Sequence, residues 1–379
     1  MFFYISFLRP PPLQAPPFGT IQITPQIAND LRTEPFTGTQ DLFYSWSQSP
    51  SGSSTHGSTE TKPTKLTTWR QANAYKEIPV PVPHGIRDGQ TWHLLLQAQG
   101  SSIIDLADGS VGRVPFPVLS MPILFGSRGG RGVGKQEQVE RLYQLRPAGG
   151  PEAPILSLRI TEQTSFDLDK KVWDSGVGLS SWLVELDRDD TRKASNLRDA
   201  LFSSEPRNIL ELGAGTGIVS LALAALRSKN NLPSEDQAIV SSSRIIATDL
   251  ESAMPLLEHN ISLNSFRFAA APEALVLDWD NEILPEYIRA FTSGFDAIIM
   301  ADVTYNTASF PALVRTLSSV LNLSSSPPLV LLGYKERDEA ERTLWDLARE
   351  VGLEFEKIGE RKGAGGAPVE VWLGYISSP

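Results

Sequence analysis

The run IIMADVTYNT, Ile298 to Thr307, is apolar for four residues and then breaks into Asp302 and, three positions on, Tyr305 and Asn306. An acid and a phenol at a strand tip suit one long cationic side chain. The carboxylate attracts an ammonium or accepts from an amine, and the phenol orients it or packs on its stem. A second group lies earlier, in ELGAGTG, Glu211 to Gly217. Gly213, Gly215 and Gly217 follow an apolar strand and open a helix, which allows a tight turn and close backbone approach. The next strand, RIIATD, ends at Asp249, where a carboxylate can take both hydroxyls of a ribose. The spacing G-x-G-x-G is shorter than the G-x-G-x-x-G that wraps a pyrophosphate, and with Glu211 just before it the turn suits a ligand without phosphate. The same residues also serve as an ordinary strand-to-helix turn, with Asp249 and Asp302 as helix caps and Tyr305 as a packing residue.

The segments that must position these groups alternate between strand and helix from about Pro154 onward. PILSLRIT, NILELG, RIIATD, EALVLDW, FDAIIMAD and PLVLLGYK read as strands. GVGLSSWLVEL, TGIVSLALAALR, ESAMPLLEHNISLN, FPALVRTLSSVL and RDEAERTLWDLAREVG read as helices. LEFEKI and VEVWLGYI, parted by GERKGAGGAP, form a terminal β-hairpin. Repeating βα units imply an α/β fold with a mostly parallel, doubly wound sheet. A long polar loop, RSKNNLPSEDQAIVSSS, separates the glycine turn from the strand ending at Asp249.

Residues 1–150 read differently, dense in Pro, Ser and Gly, with short strands in GTIQITP, TWHLLLQAQ and FPVLSMPILF. They are expected to form a β-rich, partly irregular extension with flexible loops at about 48–66 and 126–137, ahead of an α/β domain over 151–379.

Composition narrows the function classes. A net charge of −10 in 379 residues disfavours nucleic-acid binding, which rests on clustered Lys and Arg. The chain has no cysteine, which excludes disulfides, thiolate metal sites and cysteine nucleophiles, and points to a reducing, cytoplasmic home. The apolar start MFFYISFLRPPP is cut by proline too early for a signal core or a membrane span, so no membrane partner is expected. Four histidines show no ligand spacing, and no metal is expected. GGRGVGKQ, Gly129 to Gln136, nearly matches a phosphate loop but places Gln136 where the magnesium-binding hydroxyl belongs.

Taken together, VWDSGVGLSSWL, ILELGAGTGIVSLALA, ATDLE, LDW and MADVTY resemble the seven-strand, S-adenosylmethionine-dependent protein-lysine methyltransferases. The likeness runs from about Ile155 to Ile376 and is strongest to the branch acting on the chaperone ATPase valosin-containing protein. Sister members act on heat-shock chaperones and translation elongation factors. The D-x-x-Y element is its most specific part. The resemblance implies a Rossmann-like sheet in the order 3-2-1-4-5-7-6 with S-adenosylmethionine across its carboxyl ends. Carried over residue by residue, it puts Trp173 near the cofactor, Gly213, Ala214 and Gly215 beneath its amino-acid part, and Asp249 on the ribose. Trp279 would lie beside the adenine and Ala301 would close the floor before Asp302. Without the family pattern, both tryptophans read as core aromatics and Ala301 carries no signal.

The implied partner is a protein bearing a target lysine. A free lysine titrates near 10.4, so presenting its neutral amine at neutral pH costs about 4 kcal/mol. Asp302 cannot lower that pKa, because a carboxylate favours the ammonium. Its expected work is to recruit the charged lysine and then accept a hydrogen bond from the amine, while Tyr305 orients the lone pair. Methylation of RNA or of a small molecule, and a non-catalytic scaffold of the same fold, remain open alternatives.

Overall fold

Seven strands of the second half assemble into one sheet: β1 (Asn208–Leu212), β2 (Arg244–Asp249), β3 (Glu273–Val276), β4 (Ala297–Ala301), β5 (Leu329–Lys335), β6 (Leu353–Arg361) and β7 (Val369–Ile376). Their order is β3-β2-β1-β4-β5-β7-β6. The pairs β1–β2, β1–β4, β2–β3 and β4–β5 are parallel, while β7 runs antiparallel to both β5 and β6. The computed structural model describes residues 1–48, 60–98, 102–126, 134–149, 154–165, 167–189, 195–228, 243–324 and 326–376. Most of the loops expected at 48–66 and 126–137, and most of the polar loop before β2, lie outside these residues. The described end of the first is not a loop, since Thr64–Trp69 is a strand paired with Gln40–Gln48.

Strands β1 and β4 are buried on both faces because helices cover both sides of a parallel sheet. The helices are α1 (Asp174–Arg188), α2 (Ser195–Phe202), α3 (Ile218–Ser228), α4 (Met254–Asn264), the single turn α5 (Glu286–Arg289), α6 (Phe310–Leu321) and α7 (Thr343–Glu350). α6 begins at the predicted Phe310, with Pro311 in its first turn where no amide partner is needed.

The N-terminal residues form a three-stranded sheet (Tyr4–Arg9, Thr20–Ala28, Ile78–Pro81) and a nine-stranded sheet. The division at 150/151 is corrected by the pairing. Leu156–Gln163, assigned from sequence to the α/β half, lies antiparallel along the whole of Gln138–Leu145 and is the end strand of the nine-stranded path. Nor are the two halves separate bodies. One apolar cluster holds Phe2, Tyr4, Phe116 and Tyr143 together with Val177 and Leu183 of α1 and Ile209 of β1.

The far edge of Leu156–Gln163 meets α4 through two asparagines one helical turn apart. Asn260 accepts from Thr161 N at 2.9 Å and donates to Thr161 O at 3.1 Å. Asn264 does the same with Arg159, at 2.9 and 2.8 Å. Two side-chain amides thus stand in for a missing neighbour strand, satisfying a buried edge that would otherwise cost several kcal/mol.

The near-match to a phosphate loop leads into the strand Gln138–Leu145 rather than a helix. Gln136 is buried, accepting from Met121 N and donating to Met121 O, both at 2.9 Å. Among the described residues no helix is long and apolar enough to cross a membrane.

Candidate functional site

A cavity of about 330 Å³ opens at the carboxyl ends of β1, β2 and β4, beside the point where strand order reverses. At the end of β1 the chain turns through Gly213 and Gly215, with φ of 71° and 54°. A Cβ on Gly213 would come within 2.9 Å of Val303 and 3.4 Å of the Trp279 ring, so glycine is required for both conformation and space. β2 ends at Asp249, whose two oxygens accept from Gly215 N and Leu250 N, both at 2.7 Å. Burial raises the Asp249 acid despite those amides.

β4 ends at Ala301, and Asp302 follows with φ 58°, a left-handed conformation uncommon outside glycine. The residue is only 7% exposed. Oδ2 accepts from Ser175 N at 2.7 Å, at the start of α1, and Oδ1 is ion-paired with Arg337. Asp302 therefore satisfies an amide in the first turn of α1 and does not cap the helix that follows it; Asn306 caps that next turn, accepting from Ala308 N at 3.2 Å and donating to Ser309 Oγ at 2.8 Å. Tyr305 stands at the mouth, 57% exposed. Desolvation of its hydroxyl and the charges of Asp249 and Asp169 raise its pKa, which keeps it a neutral phenol.

The cavity brings together Trp173, Gly213, Gly215, Asp249, Trp279, Ala301, Asp302 and Tyr305. Ala214 is the exception. It packs with Ala247, Met254 and Leu257 behind the turn, and its amide donates to Thr248 O at 2.9 Å. Glu211 also departs from expectation, because it is buried away from the cavity and accepts from Ser220 N at 3.1 Å. Burial pushes its acid up to about 7. It braces the start of α3 rather than selecting a ligand. Gly217 is likewise a packing residue, since a Cβ there would meet Leu257 at 2.6 Å.

Sequence reasoning missed Asp169, Asp278 and Asp280 in the lining. Asp278 had a signal, lying inside LDW, whereas Asp169 belongs to a short turn (Leu168–Lys170) with no motif of its own. With Asp249 and Asp302 these make five carboxylates facing a cavity lined by no Lys, Arg or His. Such walls repel phosphates and favour cations.

Those features fit S-adenosylmethionine, which pairs a ribose and an adenine with a sulfonium and carries no phosphate. Trp279 Nε1 is buried with no hydrogen-bond partner among the described residues, an orphan donor on the wall where the adenine is expected. The glycine floor leaves backbone open to close approach. Among the described residues no cluster of three or more His, Asp or Glu could hold a metal ion.

A family model described as lysine methyltransferase matches residues 153–350. A UPF0665 family protein of Schizosaccharomyces pombe is 30% identical over 197 residues, 51% of this chain and 51% of that protein. The protein-lysine N-methyltransferase EFM6 of Saccharomyces cerevisiae is 27% identical over 177 residues, 45% of this chain and 65% of the relative. The protein N-lysine methyltransferase METTL21A of Danio rerio is 31% identical over 185 residues, 48% of this chain and 68% of the relative. The alignments span between half and about two-thirds of these relatives' lengths.

Proposed function

The chain belongs to the lysine methyltransferase family, and on that premise we propose that it transfers a methyl group from S-adenosylmethionine to the side-chain nitrogen of a lysine in a protein. The observation that carries the reading is the charge of the cavity: five carboxylates and no cation, with a phenol at the mouth. Such a site suits a ligand and an acceptor that both arrive positively charged. Chaperone ATPases and translation factors are the substrate classes the sequence resemblance suggests testing first.

When bound, S-adenosylmethionine supplies an electrophilic methyl on a sulfonium, and the chain's own residues bind and orient. Asp249, fixed by two backbone amides, is aimed to accept from the ribose hydroxyls. Gly213 and Gly215 offer backbone at contact distance, and Trp279 gives the adenine an apolar wall with one free donor. At the other end Asp302 accepts a hydrogen bond from the incoming nitrogen through a carboxylate that its own partners hold still. Positioning of this kind is the main demand of an in-line displacement. Tyr305, kept neutral, orients the lone pair through its hydroxyl and covers the lysine stem with its ring. The carboxylates favour the ammonium on arrival, so proton release falls to desolvation in the filled site and to the neighbouring positive charge.

The test is to incubate the protein with methyl-labelled S-adenosylmethionine and a lysate of its own host lacking the gene. Label on lysine in one or a few protein bands is the expected result. Label confined to RNA or small molecules overturns the reading.

A further inference from the structure

Behind Asp302 runs a buried chain of alternating charge that crosses into the N-terminal half. Arg337, two residues past β5, is paired with Asp302 and donates to Asp30 Oδ2 at 2.9 Å. Asp30 Oδ1 lies 3.1 Å from Lys335 Nζ, which lies 2.8 Å from Asp174 Oδ2. Asp174 accepts from Phe2 N and Tyr4 OH, at 2.8 and 2.9 Å. Asp30 also accepts from Leu31 N and from Asp174 N, at 3.0 and 3.2 Å. All of these side chains are nearly inaccessible, and the Asp30 carboxylate is fully so. Burial pulls the Arg337 guanidinium down, but Asp302 and Asp30 outweigh it and hold it well above its usual value, so it is charged throughout.

One guanidinium therefore serves two carboxylates. If Asp302 had Arg337 to itself, the cation would cancel its charge and the cavity mouth would lose the acid that meets the lysine. We propose that Asp30 is a positioning residue for Asp302: by holding part of Arg337, it leaves Asp302 with surplus negative charge directed at the acceptor nitrogen. The N-terminal layer is then a component of the acceptor site. This inference rests on the lysine-methylation reading above, and it concerns only how Asp302 is set for that task. The geometry fits the assignment. Arg337 reaches Asp302 and Asp30 through different nitrogens, and Asp302 is fixed from its other side by Ser175 N, so it cannot turn away when the ion pair changes.

Asp30→Asn keeps size and one acceptor while removing the charge, which leaves Asp302 as Arg337's one carboxylate partner among these side chains. With the methyl-accepting protein purified from the labelled lysate band, KM for that protein is expected to rise about tenfold, the lower end of what a weakened charge-assisted hydrogen bond produces. Affinity for S-adenosylmethionine, measured by calorimetry, is expected to stay within about twofold, because Asp30 makes no bond to Gly213, Gly215, Asp249 or Trp279. Lys335→Gln provides the opposite sign. It removes Asp30's other cation and leaves Arg337 shared, so KM for the protein must not rise even if the melting temperature falls. An unchanged KM in Asp30→Asn overturns the proposal. So does a parallel loss of S-adenosylmethionine affinity, or an equal rise of KM in both variants, since either marks general damage. Should Asp30→Asn not fold, a rise of KM in Lys335→Gln alone overturns it and an unraised KM supports it. Failure of the wild-type protein to label any lysine speaks against the methylation reading itself, not against Asp30.

Discussion

The two ends of the cavity are built in opposite ways. At the β1–β2 end the groups are set by nearby backbone: Asp249 is oriented by Leu250 N and by Gly215 N, 34 residues away. At the β4–β5 end Asp302 is held by Ser175 N, 127 residues away, and through Arg337 it is tied to Asp30, 307 residues from that arginine. The first end is a local device of glycines and one acid. The second is an assembly that the N-terminal layer completes by supplying Asp30. A cofactor end of this kind can be shared by many relatives, while an acceptor end wired through a separate layer can vary independently of it.

The contrast predicts that the two ends break differently. Arg337→Met strips the cation from two buried carboxylates and is expected to cost about 3–5 kcal/mol of stability in urea unfolding, the usual result of orphaning a buried charge. A loss under about 1 kcal/mol would mean the network carries little, as exposed pairs do. Asp249→Asn acts at the local end. It is expected to weaken S-adenosylmethionine binding about 10- to 100-fold, from the loss of charged hydrogen bonds, with KM for the protein at saturating cofactor unchanged. Tyr305→Phe keeps the ring and removes the hydroxyl, so kcat should fall about tenfold with cofactor affinity unaltered. An unchanged kcat would leave the tyrosine as a packing residue.

The smallest expected effect is on pH dependence. Burial raises the Glu211 acid from its ordinary value of 4.5 to about 7. A raised folded-state value means that the neutral form stabilises the fold. That contribution is complete below about pH 4.5 and is lost as pH climbs through 7. Asp174, pushed up to about 6 chiefly by burial, acts in the same direction over an overlapping range. Glu211→Gln should therefore narrow the stability difference between pH 5 and pH 8. An unaltered difference would remove Glu211 from the account.

The same division explains what could be read from sequence. The glycine turn, Asp249, Trp279 and the D-x-x-Y element lie in short contiguous motifs, and the apolar runs of β1 to β7 and the helices between them are strongly periodic. The Ala214 side chain packs behind the turn, because the motif fixes which residues make a turn and not which way each Cβ faces. Glu211 faces Ser220 in the helix rather than the cavity, a direction that residue types and spacing do not give. In the N-terminal half Tyr4–Arg9, Gln40–Gln48, Thr64–Trp69 and Gln138–Leu145 escaped notice. QVERLYQL buries Glu140 and Arg141 by pairing them with Arg159 and Glu162, so its charges look solvent-facing when they are not. Asp30, in a plain stretch of polar residues, gave no signal, because its meaning comes from Arg337 and Lys335 some three hundred residues later.

The most direct measurement of the two-ended account is calorimetric titration of Asp302→Asn with S-adenosylmethionine, alongside a transfer assay on the same preparation. Asparagine tolerates the left-handed backbone and can keep the acceptor for Ser175 N, so the fold should survive. The account predicts cofactor affinity within about threefold of wild type and methyl transfer reduced at least about a hundredfold. Lost cofactor binding, or transfer near the wild-type rate, would contradict the assignment of Asp302 to the acceptor end.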